Sequence, residues 1–142
     1  MKKPLHVVLG GHGAIGRAVI DELKLKQIPF RAVERSKNVP NTETVKADLM
    51  IFDQTLKAVS GATHVYLCIG VVYSAKTWAS HWPVIMENVI KACEQEHAKL
   101  IFLDNVYMYG PAPLAIPFDE THEQNPKTKK GKTRKKLADM LL

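Results

Sequence analysis

The sequence predicts an α/β fold built on a doubly wound parallel sheet of about five strands. Three observations predict it. Short apolar runs alternate with stretches of helical periodicity, the first apolar run ends in glycines that open a helix, and most connections are short. His6-Val7-Val8-Leu9 is the first strand, apolar enough to be buried on both faces of a parallel sheet. Ala14 to Gln27 follows as a helix, with Ile15, Ala18, Val19 and Leu23 at helical spacing and charges between them. Pro29 closes that region and Phe30-Arg31-Ala32-Val33 forms the second strand. Ser36 to Thr42, with Asn38, Pro40 and Asn41, reads as a loop. Thr44 to Ala47 is a short third strand and Phe52 to Val59 a short helix, which Gly61 ends. Thr63 to Ile69 makes a fourth strand, Trp78 to His97 the longest helix, and Lys99 to Leu103 a fifth strand. We divide the chain at Gly110: 1–110 as a dinucleotide-binding domain, and 111–142 as an irregular Pro-containing loop, a basic segment and the start of a truncated helix.

Bulk composition excludes several classes. The chain has 142 residues, one domain's worth, and its 46% hydrophobic and 24% charged fractions are those of a globular protein. No apolar run approaches the roughly 18 residues of a membrane span, and Leu5 to Leu9 is too short for a signal-peptide core, so a cytoplasmic protein is expected. Cys68 and Cys93 lie in apolar segments without metal-ligand spacing, which predicts reduced core residues and no metal site. The net charge of +6 is local: Lys127, Lys129, Lys130, Lys132, Arg134, Lys135 and Lys136 fall within ten residues, and the rest of the chain sums to about −1. That distribution argues against a general nucleic-acid surface. Positive charge at a helix N-terminus opposes the helix dipole, which an anion nearby would relieve.

Gly10-Gly11-His12-Gly13-Ala14-Ile15-Gly16 satisfies both GxGxxG and GxxGxxG. One glycine serves the sharp turn, one admits the pyrophosphate, and one lets helix and strand pack closely, while the helix N-terminus supplies N–H groups and dipole to the anion. Placed between a buried strand and an amphipathic helix, the loop predicts a Rossmann-type NAD(P) site. The end of the second strand gives two answers. Glu34 suits the ribose hydroxyls of NAD, whereas Arg35 suits the 2′-phosphate of NADP, and with Arg17 and Lys37 the charge count tilts toward NADP.

Taken together, these segments resemble the N-terminal part of the extended and atypical short-chain dehydrogenases/reductases, which include NAD-dependent epimerases and dehydratases of nucleotide sugars. Gly10, Gly13 and Gly16 match the glycine motif, Ala47-Asp48-Leu49 the segment whose Asp contacts adenine, Asn88-Val89-Ile90-Lys91-Ala92 the Asn-bearing helix, and Tyr109-Gly110 the end of the fifth-strand motif. The resemblance implies a cofactor site of Gly10, Gly11, His12, Gly13, Ala14, Ile15, Gly16, Glu34, Arg35, Asp48, Leu49, Cys68, Ile69, Gly70 and Asn88. The catalytic pattern departs from the family's. Asn105 stands where active members carry Ser or Thr, Lys130 where they carry the Tyr of Tyr-x-x-x-Lys, and Arg134 where they carry its Lys. An arginine stays protonated near neutral pH, so the replacement of that dyad removes its proton chemistry unless Tyr107 or Tyr109 substitutes. Asn105, Tyr107, Tyr109, Lys130 and Arg134 are therefore the candidate catalytic positions.

Two functions follow as expectations. One is the NAD(P)-binding domain of an epimerase/dehydratase-like or reductase-like oxidoreductase acting on a hydroxyl or carbonyl of a small molecule, including sugar nucleotides. The other is a non-catalytic NAD(P)-sensing or binding protein. The resemblance also implies longer chains with a C-terminal substrate domain, which these 142 residues are expected not to include. The apolar stripe Leu137, Met140, Leu141 and Leu142 ends without a Gly or Asn cap. The chain is accordingly expected to be a truncated piece that binds cofactor without turnover, with an open fifth-strand edge that favours a homodimer.

Overall fold

The computed structural model describes residues 3–142. Its elements run β1 (His6–Leu9), α1 (Ala14–Leu25), β2 (Phe30–Glu34), β3 (Thr44–Lys46), α2 (Phe52–Val59), β4 (His64–Leu67), α3 (Ala75–Glu96), β5 (Lys99–Phe102) and α4 (Lys129–Leu141). The sheet is parallel throughout in the order β3-β2-β1-β4-β5, so the strand order reverses beside β1, where the glycine loop begins. In open α/β sheets ligands bind beyond the carboxyl ends of the strands at such a reversal. The outer edge of β5 has no strand partner among the described residues.

Two compact units arise. One comprises the chain up to Gly70 with Asn88–Leu103, and the other comprises Val71–Glu87 with Asp104–Leu142. The first holds the sheet. Val7, Val8 and Leu9 are fully buried, as the apolar run predicts, and Val8 packs with Ile20, Leu23, Ala32 and Val39. Gly16, Ile20 and Leu23 recur at helical spacing and form the buried stripe of α1.

Helix ends differ from the sequence expectation by one or two residues, for a physical reason. After α1, Gln27 takes φ 55°, and the N–H groups of Gln27 and Ile28 bond back to the carbonyls of Lys24 and Leu23 at 3.0 and 2.9 Å. His97 ends α3 in the same way, with φ 54° and bonds from His97 and Ala98 to Glu94 and Cys93. Both are Schellman closures on residues other than Gly or Asn, which usually mark them. At the other end α3 begins at Ala75 rather than Trp78, because the Ser74 carbonyl accepts from Trp78 N at 2.8 Å and its hydroxyl from Thr77 N at 3.3 Å.

In the second unit the basic segment is itself helical. Thr128 caps α4, its hydroxyl accepting from Gly131 N at 3.0 Å, and Gly131, Thr133, Arg134, Leu137 and Ala138 are its buried residues. The preceding loop is fastened by the pair Gly110 N to Glu123 O (3.1 Å) and Asn125 N to Gly110 O (3.3 Å). Among the described residues no helix is long and apolar enough to cross a membrane.

Candidate cofactor cradle and aromatic cluster

Two glycines of the loop are demanded by the fold. Gly10 has φ +90°, and a Cβ there would stand 2.8 Å from Ile69 Cα; a Cβ on Gly16 would run into the Gly10 carbonyl. Gly13 is different. It has φ −69° and ψ 167°, and an added Cβ would meet only Gly10 O at 3.8 Å and Cys68 O at 3.9 Å, ordinary contact distances. Gly13, Ala14 and Ile15 are exposed, whereas Gly10, Gly11 and Gly16 are buried. Gly13 is also the N-cap of α1, where no side chain accepts from the first N–H groups and the first turn carries no acid. The loop therefore presents uncapped helix donors over a position that the protein itself does not need to be small.

At the end of β2, Glu34 is half-buried and its Oε1 accepts from His12 N at 2.6 Å. His12 is no free loop tip: it is half-buried and its Nδ1 lies 3.1 Å from Asn38 O. Arg17, Arg35 and Lys37 are exposed. Asp48 Oδ1 accepts from Met50 N at 2.9 Å, closing a turn, and Leu49 is buried. Asn88 spends Nδ2 on the Leu49 carbonyl at 2.8 Å, so within this unit its contact is a tether on the segment after β3. Cys68 and Ile69 are half-buried at the end of β4, and Gly70 is exposed.

Burial pushes the thiols of Cys68 and Cys93 up to about 11, from an ordinary 9.0. Thiolate is the reactive form, so at neutral pH each holds about 100-fold less of it than an unperturbed thiol. Iodoacetamide labelling of the folded protein, followed by mass spectrometry, is expected to be slower by that factor; labelling at the rate of free cysteine would contradict the burial.

The candidate catalytic positions lie in the second unit. Arg134 is buried, its guanidinium 4.9 Å from the Trp78 ring and 4.7 Å from the Trp82 ring, with Nη1 3.6 Å from Asp104 Oδ1. Burial raises the Asp104 carboxyl above its usual range, against the opposing pull of the Asn105 N–H and the Arg134 charge. Lys130 Nζ stands 2.8 Å from the centre of the Tyr73 ring, a close cation–π contact. Tyr73 and Tyr107 bring their hydroxyls within 3.5 Å, and Trp78 stacks on Tyr107 with centroids 6.1 Å apart. The Tyr73 hydrogen bond, first among several causes, raises the Tyr107 phenol above its ordinary value, so it is not primed as a base. Asn105 Oδ1 accepts from Tyr107 N at 3.0 Å, which engages it in a local turn. Tyr109 stands apart from these groups, packed with Phe118 and His122.

The structure thus brings Asn105, Tyr107, Lys130 and Arg134 together and adds Tyr73, Trp78 and Asp104. Asp104 was legible as the first charge after the apolar fifth strand; Tyr73 carries no periodic signal. Three further lysines of α4, Lys132, Lys135 and Lys136, fall elsewhere, lining a shallow cavity of about 300 Å³ with Gln124, Asn125, Pro126 and Asp139. There Lys135 is neutralised by Asp139 at 2.9 Å.

The model of the NAD dependent epimerase/dehydratase family matches residues 6–135. The chain belongs to that family. Its members' fold recurs in solved structures. A short-chain dehydrogenase/reductase superfamily protein from Agrobacterium tumefaciens with bound NAD superposes at a TM-score of 0.84, with 19% identity over 96% of this chain and 44% of that one. UDP-glucose 4-epimerase from Brucella ovis in complex with NAD gives 0.82, with 19% identity over 97% of this chain and 46% of that one. Uronate dehydrogenase from Agrobacterium tumefaciens gives 0.81, with 18% identity over 99% of this chain and 55% of that one. The family fold therefore covers nearly all of this chain, which spans about half the length of these structures. No match by sequence is found among curated proteins.

Proposed function

We propose that this chain binds a nicotinamide dinucleotide with its pyrophosphate at the N-terminus of α1, as the cofactor-binding part of an oxidoreductase that acts on a hydroxyl or carbonyl of a small molecule such as a sugar nucleotide. The observation that carries the reading is Gly13. Its side of the loop is open, exposed and uncapped, and it is glycine without internal cause, as a position crossed by a pyrophosphate must be. Bound NAD in two of the similar structures supports the same choice of ligand. The dinucleotide, when bound, supplies the hydride chemistry. The chain's own residues orient it: helix donors at Ala14 and Ile15 face the anion, and Glu34 faces the ribose. Free thiols at Cys68 and Cys93 suit a reducing compartment such as the cytoplasm.

Glu34 also bears on the choice between NAD and NADP. Arg35 and its neighbours tilt the charge count toward NADP, but they are exposed, whereas the Glu34 carboxylate is held in place by His12 N. A 2′-phosphate would meet that fixed negative charge, so the geometry favours NAD. Titration by intrinsic fluorescence is expected to show NADH binding at least about tenfold tighter than NADPH, a difference of about 1.4 kcal/mol. Glu34→Gln, which keeps the acceptor for His12 and removes the charge, is expected to erase most of that preference. Equal or tighter NADPH binding by the wild type would contradict this reading.

One observation favours a second function, dinucleotide binding without catalysis. Lys130 and Arg134, at the positions of the family's Tyr and Lys, are engaged by Tyr73, Asp104 and two indoles, and Tyr107 holds its proton more tightly than an ordinary phenol. Absence of hydride transfer to a panel of uronates and sugar nucleotides, with NADH binding intact, would select it.

A further inference from the structure

Lys46 lies at the end of β3, in register with Glu34 on β2. An ammonium group has three protons to give. Lys46 Nζ gives them to three successive residues of one loop: the Ser36 carbonyl at 3.1 Å, the Lys37 carbonyl in a short contact, and Asn38 Oδ1 at 2.7 Å. Asn38 O lies 3.1 Å from His12 Nδ1, and His12 N donates to Glu34 Oε1 at 2.6 Å. Val39 N donates to Thr44 Oγ1 at 2.9 Å, fixing the far end of the same loop. The contacts close a ring through the glycine loop, Glu34, the β2–β3 pairing, Lys46 and residues 36–38.

Such a ring has a consequence for ligand choice. Arg35 precedes the segment that Lys46 holds and Lys37 lies within it, its backbone carbonyl bound and its side chain exposed, as that of Arg35 is. With the 36–38 backbone pinned by a charged donor, Glu34 stays turned to the glycine loop and the two cations stay outward. Without Lys46 the 36–38 segment keeps the contact of Asn38 O with His12, while the far part of the loop stays tied through Val39 N to Thr44 and through Asn41 O and Thr42 Oγ1 to Lys24 Nζ, and Arg35 gains freedom to reach inward.

We propose that Lys46 is a positioning residue that sets discrimination at the adenosine-ribose end of the dinucleotide site, by clamping the 36–38 loop rather than by touching the ligand. The inference rests on the dinucleotide reading above, and the two can fail separately. Because Lys46 is exposed, Lys46→Met is expected to fold with a melting temperature close to the wild type's. Its affinity for NADH and for ADP-ribose is expected to fall by the same factor, about tenfold for loss of a charged three-bond clamp, while NADPH loses much less, so that the NADH preference narrows. Lys46→Arg, which can still donate to the same carbonyls, should restore both affinity and preference. If the wild type binds NADH and Lys46→Met leaves the NADH:NADPH ratio unchanged, the clamp does not set discrimination and the inference falls. If the wild type binds neither dinucleotide, it is the underlying reading that falls, and the inference with it.

Discussion

Arg134→Met is expected to destabilise the protein by about 2–4 kcal/mol at neutral pH, a drop of roughly 5–15 °C in melting temperature. Methionine keeps most of the apolar volume between Trp78 and Trp82, so packing accounts for little of the loss. Most of it comes from the Asp104 carboxylate, which burial already pushes toward its protonated form and which the Arg134 charge, 3.6 Å away, helps to keep ionised. With the guanidinium gone, the folded-state pKa of Asp104 rises further above the unfolded value. A carboxyl whose folded pKa is raised costs nothing below the unfolded pKa, where both states are protonated, and stability is lost as pH rises from there through the folded pKa. The difference between variant and wild type should therefore shrink as pH falls from 7 toward the ordinary carboxyl range. Asp104→Leu combined with Arg134→Met is expected to recover most of the stability, since a buried pair replaced by apolar residues leaves no charge behind. Thermal melts across that pH range read all three effects; a single variant as stable as the wild type at pH 7 would show that the pair contributes nothing.

The strands and the short second helix were legible because each is a brief apolar pattern bounded by turn residues. His6–Leu9 and Phe52–Val59 have the bounds that pattern and punctuation predict, and β2 differs by one residue. The ends of the longer helices were less legible, because Gln27 and His97 adopt left-handed backbone without the glycine that normally announces it, at a cost of about 1–2 kcal/mol each. The start of α4 was signalled only by Thr128, a single capping residue ahead of lysines that oppose the dipole. For the candidate site, a motif could locate the glycine loop but could not tell which glycines the fold requires; that distinction needs the distance from each missing Cβ to its neighbours. Nor could a linear pattern show that Lys130 and Arg134 are engaged by Tyr73, Trp78, Trp82 and Asp104, since those partners stand 30 or more residues away along the chain.

Gly13→Asp separates folding from ligand binding more sharply than any other change. Gly13 is the N-cap of α1 with extended backbone, and aspartate is among the preferred residues there, stabilising a helix by about 1 kcal/mol through a bond to the first-turn N–H groups and a favourable interaction with the dipole. The nearest atom to its Cβ, Gly10 O, stands at an unstrained 3.8 Å. The variant should fold as well as the wild type or better. Its carboxylate, however, would occupy the donors that a pyrophosphate needs and place a negative charge beside two more. The decisive measurement is isothermal titration of NADH into wild type and Gly13→Asp at matched concentration, with a thermal melt of each. Saturable binding by the wild type and at least a hundredfold loss in an equally stable variant is the predicted result; undiminished NADH binding by a folded Gly13→Asp would contradict the placement of the dinucleotide on this loop.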